Sequence, residues 1–416
     1  MVAGGTSMAE CHDTLIIGGG QAGLAMSYFL REQGREHVIV ERRRLAERWR
    51  SERWDSLSFQ FPNWSFQLPG NHYNGDAPDA FAHYSEVVRY LEAYAHTIEA
   101  PLRSGVDVAS LTRDPATGRF RIATLESVLE ASRVVIATGP FQRPTIPQLA
   151  TLLPADVFQV HSSRYRNPDA LPAGAVLVVG SGGSGSQIAE ELVQAGRRVF
   201  LTVSRHRRVP RNYRGRDALW WSGKLGRFEV TIESLPGGRP LPTILYTGVG
   251  GGHDMDVRRL GDDGAVLLGR LLGCSGTRLS FDASAPAHLA FADESCAEFT
   301  RAIDDYVRET AMEAPESGVE TKPRTAAARG DPVLELDLRS ANITSVIWCT
   351  GYGFDFGWVG LPIFDDRGTP VQRRGVTSVP GAYFLGLHWM HKFKSGTLWG
   401  VGEDAAYLAE HMPASK

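Results

Sequence analysis

Cysteine is scarce in this chain: Cys11, Cys274, Cys296 and Cys349 are the four among 416 residues, and no two form a C-x-x-C. That scatter excludes the dithiol motif of disulfide reductases and favours a reducing compartment, so a cytoplasmic location is expected and all four read as small buried hydrophobes. No apolar run approaches the roughly 18 residues of a membrane span. Met1–Glu10 carries neither a basic start nor an apolar centre; no secretory signal is expected, and Met8 offers an alternative start. A formal net charge of −3 gives no electrostatic reason to expect nucleic acid or a membrane as partner. His388 and His391 lie close together, but no acid or thiol stands at ligand spacing, so no metal site is expected.

Glycine, in contrast, is abundant and is organised. Two runs 162 residues apart share one pattern: Thr14-Leu-Ile-Ile-Gly18-Gly-Gly20-Gln-Ala-Gly23 and Val176-Leu-Val-Val-Gly180-Ser-Gly182-Gly-Ser-Gly185. Each is a strand-like stretch, then G-x-G-x-x-G, then helical spacing that stops at Gly34 or Gly196. The glycines permit a tight turn and a close approach of backbone to a pyrophosphate, and the helix N-terminus presents unpaired N–H groups to the anion. Gln21, Ala22 and Ser184 lie within the two loops. Two dinucleotides are therefore expected.

The strand after each loop distinguishes them. His37-Val-Ile-Val-Glu41 ends in an acid 23 residues beyond Gly18, where a carboxylate accepts both hydroxyls of an unphosphorylated ribose, with Arg42 next to it. Arg198-Val-Phe-Leu-Thr-Val-Ser204 ends without one, in Arg205-His-Arg207-Arg208, and eight arginines fall between Arg197 and Arg216. Guanidinium groups there suit a ribose 2′-phosphate, so the second nucleotide reads as NADPH, with Arg205 first in line and Arg207 beside it.

Two further strands, Val134–Ala137 and Val346–Cys349, end in Thr138-Gly139 and Thr350-Gly351, with prolines around the first crossing. The expected architecture is α/β: two Rossmann-like dinucleotide-binding domains, the NADPH domain inserted into the FAD domain. Its limits are 10–166 for the first part of the FAD domain, 167–332 for the NADPH domain and 333–416 for the second part of the FAD domain. Residues 314–331 read as a mobile connection, and 297–309 as an amphipathic helix.

These residues resemble the flavin-containing monooxygenase-like group, class B type flavoproteins with two dinucleotide-binding domains, and within it the bacterial flavoprotein oxidoreductases. The resemblance runs from Thr14 to about Leu408. It rests on the two loops, the two Thr-Gly ends, the block Trp49-Arg-Ser-Glu-Arg-Trp54-Asp55, and Phe384-Leu-Gly386 with Gly400-Val-Gly402-Glu403-Asp404. It implies FAD in the first loop, NADPH in the second, Trp49 along the flavin and Gly386 at the cofactor. The family's linker pattern survives only in part, as His161-Ser-Ser-Arg-Tyr165, with Ala155 and Val157 at its Phe and Gly positions; His161 is either catalytic or an anchor of the linker. In Phe59-Gln60-Phe61-Pro62-Asn63-Trp64, either Gln60 or Asn63 supplies the amide expected near the flavin.

The activity implied is an NADPH-consuming, FAD-dependent monooxygenase that works through a flavin C4a-hydroperoxide on a small substrate with molecular oxygen, the cofactor carrying the hard chemistry. Baeyer–Villiger oxygenation, a plain NADPH oxidase or reductase, and a non-enzymatic flavin-binding redox sensor are the alternatives. A homodimer is compatible with the sequence. The substrate pocket is expected where the two nucleotide sites face each other. Trp64, Trp220, Trp389 and Trp399 are candidate walls, with Phe66 and Trp221; His388, His391, Lys392 and Lys394 are candidate polar contacts. Nine tryptophans suit an aromatic or flat apolar substrate.

Overall fold

The computed structural model describes residues 10–316 and 332–413. Each glycine loop follows a strand whose side chains are buried on both faces, as parallel strands covered by helices must be. In the first unit, Glu10–Ile17 lies between His37–Glu41 and Val128–Ile136, both parallel to it, and Leu102–Ser104 extends the sheet beyond His37–Glu41. The long strand Val128–Ile136 serves two partners along its other edge. Its first half pairs antiparallel with Phe120–Thr124, which pairs in turn with Val108–Arg113, and its second half pairs in parallel with Ala382–Phe384. Helix Gln21–Glu32 packs on this sheet and on the C-terminal helix Val401–His411, burying Leu24, Ala25, Met26 and Leu30. Each such aliphatic side chain stabilises the fold by about 1.5–3 kcal/mol when fully buried.

The second sheet has five parallel strands in the order Phe158–His161, Ile343–Trp348, Ala175–Val179, Val199–Thr202, Val266–Leu268. Two of them lie outside 167–332, so this sheet extends past the expected limits at both ends. Ile343–Trp348, read from sequence as the return of the first domain, is a central strand of the second sheet; the first sheet recovers the chain only at Ala382–Phe384. Local pattern identifies a buried parallel strand but not its neighbours, which is why the boundary moved.

The chain crosses between the units twice, and the crossings touch: Arg143–Pro144 pairs antiparallel with Tyr352–Gly353. The expected helix at 297–309 is the last half of a longer one, Ala285–Thr310, which starts with a proline in its first turn and buries Leu289, Ala292, Cys296, Phe299 and Ile303. Its alanine-rich first half shows little amphipathic contrast, which hid it. Of the expected mobile connection, 317–331 lies outside the described residues.

Candidate active site

The two glycine loops have the same construction. Gly18 (φ +115°) and Gly180 (φ +99°) adopt a conformation that side chains rarely take. A Cβ on Gly18 would stand 2.5 Å from the Ala137 carbonyl oxygen, and one on Gly180 would stand 2.7 Å from that of Cys349. The third glycines, Gly23 and Gly185, lie so close to the carbonyls of Gly18 and Gly180 that no side chain fits. Gly20, Gly139 and Gly182 behave differently: a Cβ there meets no protein atom within 4 Å. Gly20 and Gly182 are the N-caps of helices Gln21–Glu32 and Gly183–Gln194, and no side chain caps either helix. Exposed N–H groups beside open space form a cradle for a phosphate.

The strand ends of the two units differ. Glu41 accepts from the Gly19 N–H at 2.8 Å and the Arg43 N–H at 3.0 Å, which fixes the carboxylate with lone pairs left for ribose hydroxyls. In the second unit Gly180 N–H donates to Thr202 Oγ1 at 2.8 Å, the buried Val203 stands where strand register puts Glu41 in the first, and Ser204, one residue further on, bonds Ser181. Arg205 is exposed there with its guanidinium 4.0 Å from the Phe291 ring.

A cavity of about 1040 Å³ joins the units. Along its wall stand Gly18, Gly20, Gln21, Ala22, Glu41, Arg42, Trp49, Thr138, Gly139 and Gly386 from the first unit, and Ser184 and Arg207 from the second. A Cβ on Gly386 would reach 2.5 Å from Ala22 Cβ, so this glycine lets the C-terminal segment close over the first helix. Trp49 carries the Arg53 guanidinium 4.7 Å from its ring centre. The glycine cradle, the fixed Glu41 carboxylate and the cavity beside them fit FAD. The second loop, with Ser204 and Arg205, fits a phosphorylated nicotinamide dinucleotide.

Of the two amides, Gln60 reaches the cavity and Asn63 does not. Gln60 Nε2 lies 3.4 Å from where a Cβ of Gly183 would stand, at the foot of the second unit's helix, and the backbone carbonyl of Gln60 accepts from Arg211 at 2.8 Å. Asn63 is buried and donates to the Ala77 carbonyl at 3.0 Å, so it fastens its own loop. His161 also lies off the cavity. Its Nδ1 bonds Ser163 Oγ and its Nε2 bonds the Gly351 carbonyl, both at 3.0 Å, and burial pushes its pKa down. That geometry is the anchoring alternative for His161. Thr350 and Gly351 are bound to the other crossing at Thr145 and do not line the cavity.

Trp389 and Trp399 face the cavity, Trp399 edge-on to Phe61 at 4.7 Å. Trp64 and Trp220 do not: Trp64 packs beside Val209, Tyr213 and Trp221, and Trp220 lies under Arg216 and Lys224. Aromatic content alone does not tell a wall from a core: of the five tryptophans expected in the wall, Trp64, Trp220 and Trp221 pack with the core instead. Lys392 and Lys394 are each paired with both Glu229 and Glu403. His391 faces Asp404 at 3.7 Å. His388 lines the cavity, its ring 5.0 Å from Phe141, and the surrounding protein lowers its pKa.

Sequence reasoning missed Arg227, Phe228, Tyr246 and Phe393, all in the cavity wall. Arg207 was expected at the 2′-phosphate; instead it turns into this cavity, because the segment after Ser204 pairs with Ile244 and runs away from the strand end. Of the four cysteines, all expected to be buried, only Cys296 is; Cys274 and Cys349 are half-buried and Cys11 is exposed, and desolvation raises the Cys349 thiol to about 12.

Comparison with known proteins agrees with this construction. The family model for pyridine nucleotide-disulphide oxidoreductases matches residues 15–217. An uncharacterized CzcO-like oxidoreductase of Geobacillus kaustophilus is 35% identical over 404 residues, covering 96% of this chain and 98% of that protein. Indole-3-pyruvate monooxygenase YUCCA1 of Oryza sativa subsp. japonica is 29% identical over 191 residues, 45% of this chain and 47% of that protein. Among solved structures, a flavin-containing monooxygenase from Stenotrophomonas maltophilia superposes with a TM-score of 0.65 at 19% identity, covering 97% of this chain and 98% of that one, which shows the shared fold. At 35% identity over nearly the full length of both chains, the protein belongs to the CzcO-like oxidoreductases.

Proposed function

We propose that this chain is an FAD-dependent, NADPH-consuming monooxygenase acting on a small aromatic or heteroatom-containing molecule. One observation carries the reading: Gly20 of the first loop and Ser184 of the second line one cavity, with the Gln60 amide between the two nucleotide sites. Bound FAD supplies the electron transfer and oxygen activation. The residues of the chain bind, orient and keep the site dry. Glu41 and the Gly20 cradle hold the adenosine diphosphate end, Ser204 and Arg205 select the phosphorylated nicotinamide, and Trp49 flanks the ring system. Phe61, Trp389 and Trp399 exclude water. Gln60 offers a neutral donor and acceptor to oxygen or substrate, and His388, in the cavity wall, accepts a proton at a ring nitrogen.

The resemblance to an indole-3-pyruvate monooxygenase supports oxygen transfer, as does the absence of a cysteine pair among the described residues, which leaves a dithiol mechanism without its groups. The test is to reduce the purified flavoprotein with NADPH without air, then admit labelled oxygen with a panel of amines, thioethers and arylketones. Label in a product supports the proposal. Hydrogen peroxide in full yield with every substrate makes the protein an NADPH oxidase, and a flavin that NADPH does not bleach removes both activities.

A further inference from the structure

Two arginines project into the cavity without a counterion. Arg207 and Arg227 both line it, and among the described residues neither side chain has a hydrogen bond or an ion pair. The Arg227 guanidinium lies over the Phe299 ring at 4.5 Å. Other cations near this cavity are already engaged. Lys392 and Lys394 are neutralised by Glu229 and Glu403, Arg211 is bound to Asp217 at 2.7 Å, and Arg48 to Glu52 at 2.8 Å. Arg53, also in the lining, lies over Trp49 and donates to the Glu52 carbonyl at 2.9 Å, while Glu41, Arg42 and Arg43 belong to the nucleotide end. Glu298 acts on both free guanidiniums only at longer range, and desolvation lowers the pKa of each; Arg207 lowers that of Arg227 further. Two like charges held together in a partly dry, aromatic wall are costly unless an anion joins them.

We propose that Arg207 and Arg227 form an anion subsite and that the substrate is an aromatic carboxylate, its acid group held by the two guanidiniums and its ring against Phe228 and Trp399. The assignment rests on the reading of this cavity as the substrate site. Neither arginine belongs to a glycine loop; both act electrostatically with Tyr246, and Arg227 also touches Ser222 and Phe299. Paired guanidiniums match the two oxygens of a carboxylate and do not match its neutral amide.

The test is calorimetric titration of the flavin-loaded protein, without NADPH, using phenylacetate and indole-3-acetate, each compared with its own amide. At least one acid is expected to bind about tenfold or more tightly than its amide. Replacing both residues, Arg207→Gln with Arg227→Gln, is expected to abolish that preference, and the two lysine replacements to retain part of it. Equal binding of acid and amide, no binding of either acid, a preference that survives the double glutamine change, or displacement of the acid by NADP⁺ would each overturn the assignment. The comparison of acid with amide needs only the unaltered protein, so a variant that does not fold leaves the test intact. No turnover is read, so a protein that binds acids in this way but never oxygenates a substrate refutes the monooxygenase reading alone.

Discussion

Ser204 bonds Ser181 across the second glycine loop, its N–H donating to Ser181 Oγ at 2.9 Å, one residue beyond the strand position at which Glu41 bonds Gly19 in the first. One strand end thus presents a carboxylate to a ribose and the other a hydroxyl with Arg205 exposed next to it. Replacing Arg205 with alanine is expected to raise the KM for NADPH about 10- to 100-fold, the range of one charge-assisted hydrogen bond, and to leave NADH use nearly unchanged. Adding Ser204→Asp should reverse the coenzyme preference. Steady-state kinetics with both coenzymes decide this, and equal losses for both place Arg205 elsewhere.

Gly18 and Gly20 are predicted to fail differently. At Gly18 a side chain meets the Ala137 carbonyl at a φ of +115°, so Gly18→Val should lower the Tm of the flavin-free protein and give colourless preparations. At Gly20, with φ −79° and open space ahead, Gly20→Val should also be colourless yet melt like the flavin-free parent. Visible absorbance and thermal melts of the two variants check the distinction.

His161 bridges Ser163 and Gly351, so it should behave as an anchor. His161→Ala is expected to cost about 1–3 kcal/mol of stability, the scale of a buried polar partner left unsatisfied, and to keep the rate of flavin reduction by NADPH within a few-fold. Loss of reduction in a variant of undiminished Tm would give the ring a chemical role.

Acid should destabilise the fold early. Burial lowers the pKa of His37, His161 and His206 from the ordinary 6.5, while Glu190 raises that of His253. A depressed histidine pKa stabilises the native state above 6.5, and that contribution is lost as pH falls from there through the folded value; the single raised group works the other way and is outnumbered. Thermal melts from pH 8 to pH 5 should show Tm declining below about pH 6.5. A flat profile would contradict the buried, neutral state of these rings.

Glu229, held below the usual carboxylate range by Lys392 and Lys394, is largely exposed, so its pairs are worth only about 0.2–1 kcal/mol after solvent screening. Glu229→Gln should cost that much above the ordinary glutamate pKa of 4.5. The difference from the parent should vanish as pH falls through the lower folded value, measured by denaturant unfolding at a series of pH values.

What was legible in the chain was what neighbours in sequence determine. A glycine loop, its strand, its helix and the residue closing the next strand lie within one supersecondary unit, so Gly18, Glu41, Gly180 and the missing second acid could be read directly. Groups assembled by tertiary packing were not. Arg207 and Arg227 are 20 residues apart, and only the path of the chain through Ile244 and Tyr246 turns both toward one space. Asn63 and Gln60 share a loop, yet only Gln60 lines the cavity, because Asn63 is held by the Ala77 carbonyl. Trp64 and Trp220 carry the same composition signal as Trp389 and Trp399 but end up in packing.

The paired crossings, Arg143–Pro144 against Tyr352–Gly353, mean that the nicotinamide half enters and leaves through one doorway. A short bridge between those two points would excise that half and leave the ends of the flavin half already side by side. An ancestral flavin module acquiring its reductant-binding partner by a single gene insertion would need no other rewiring.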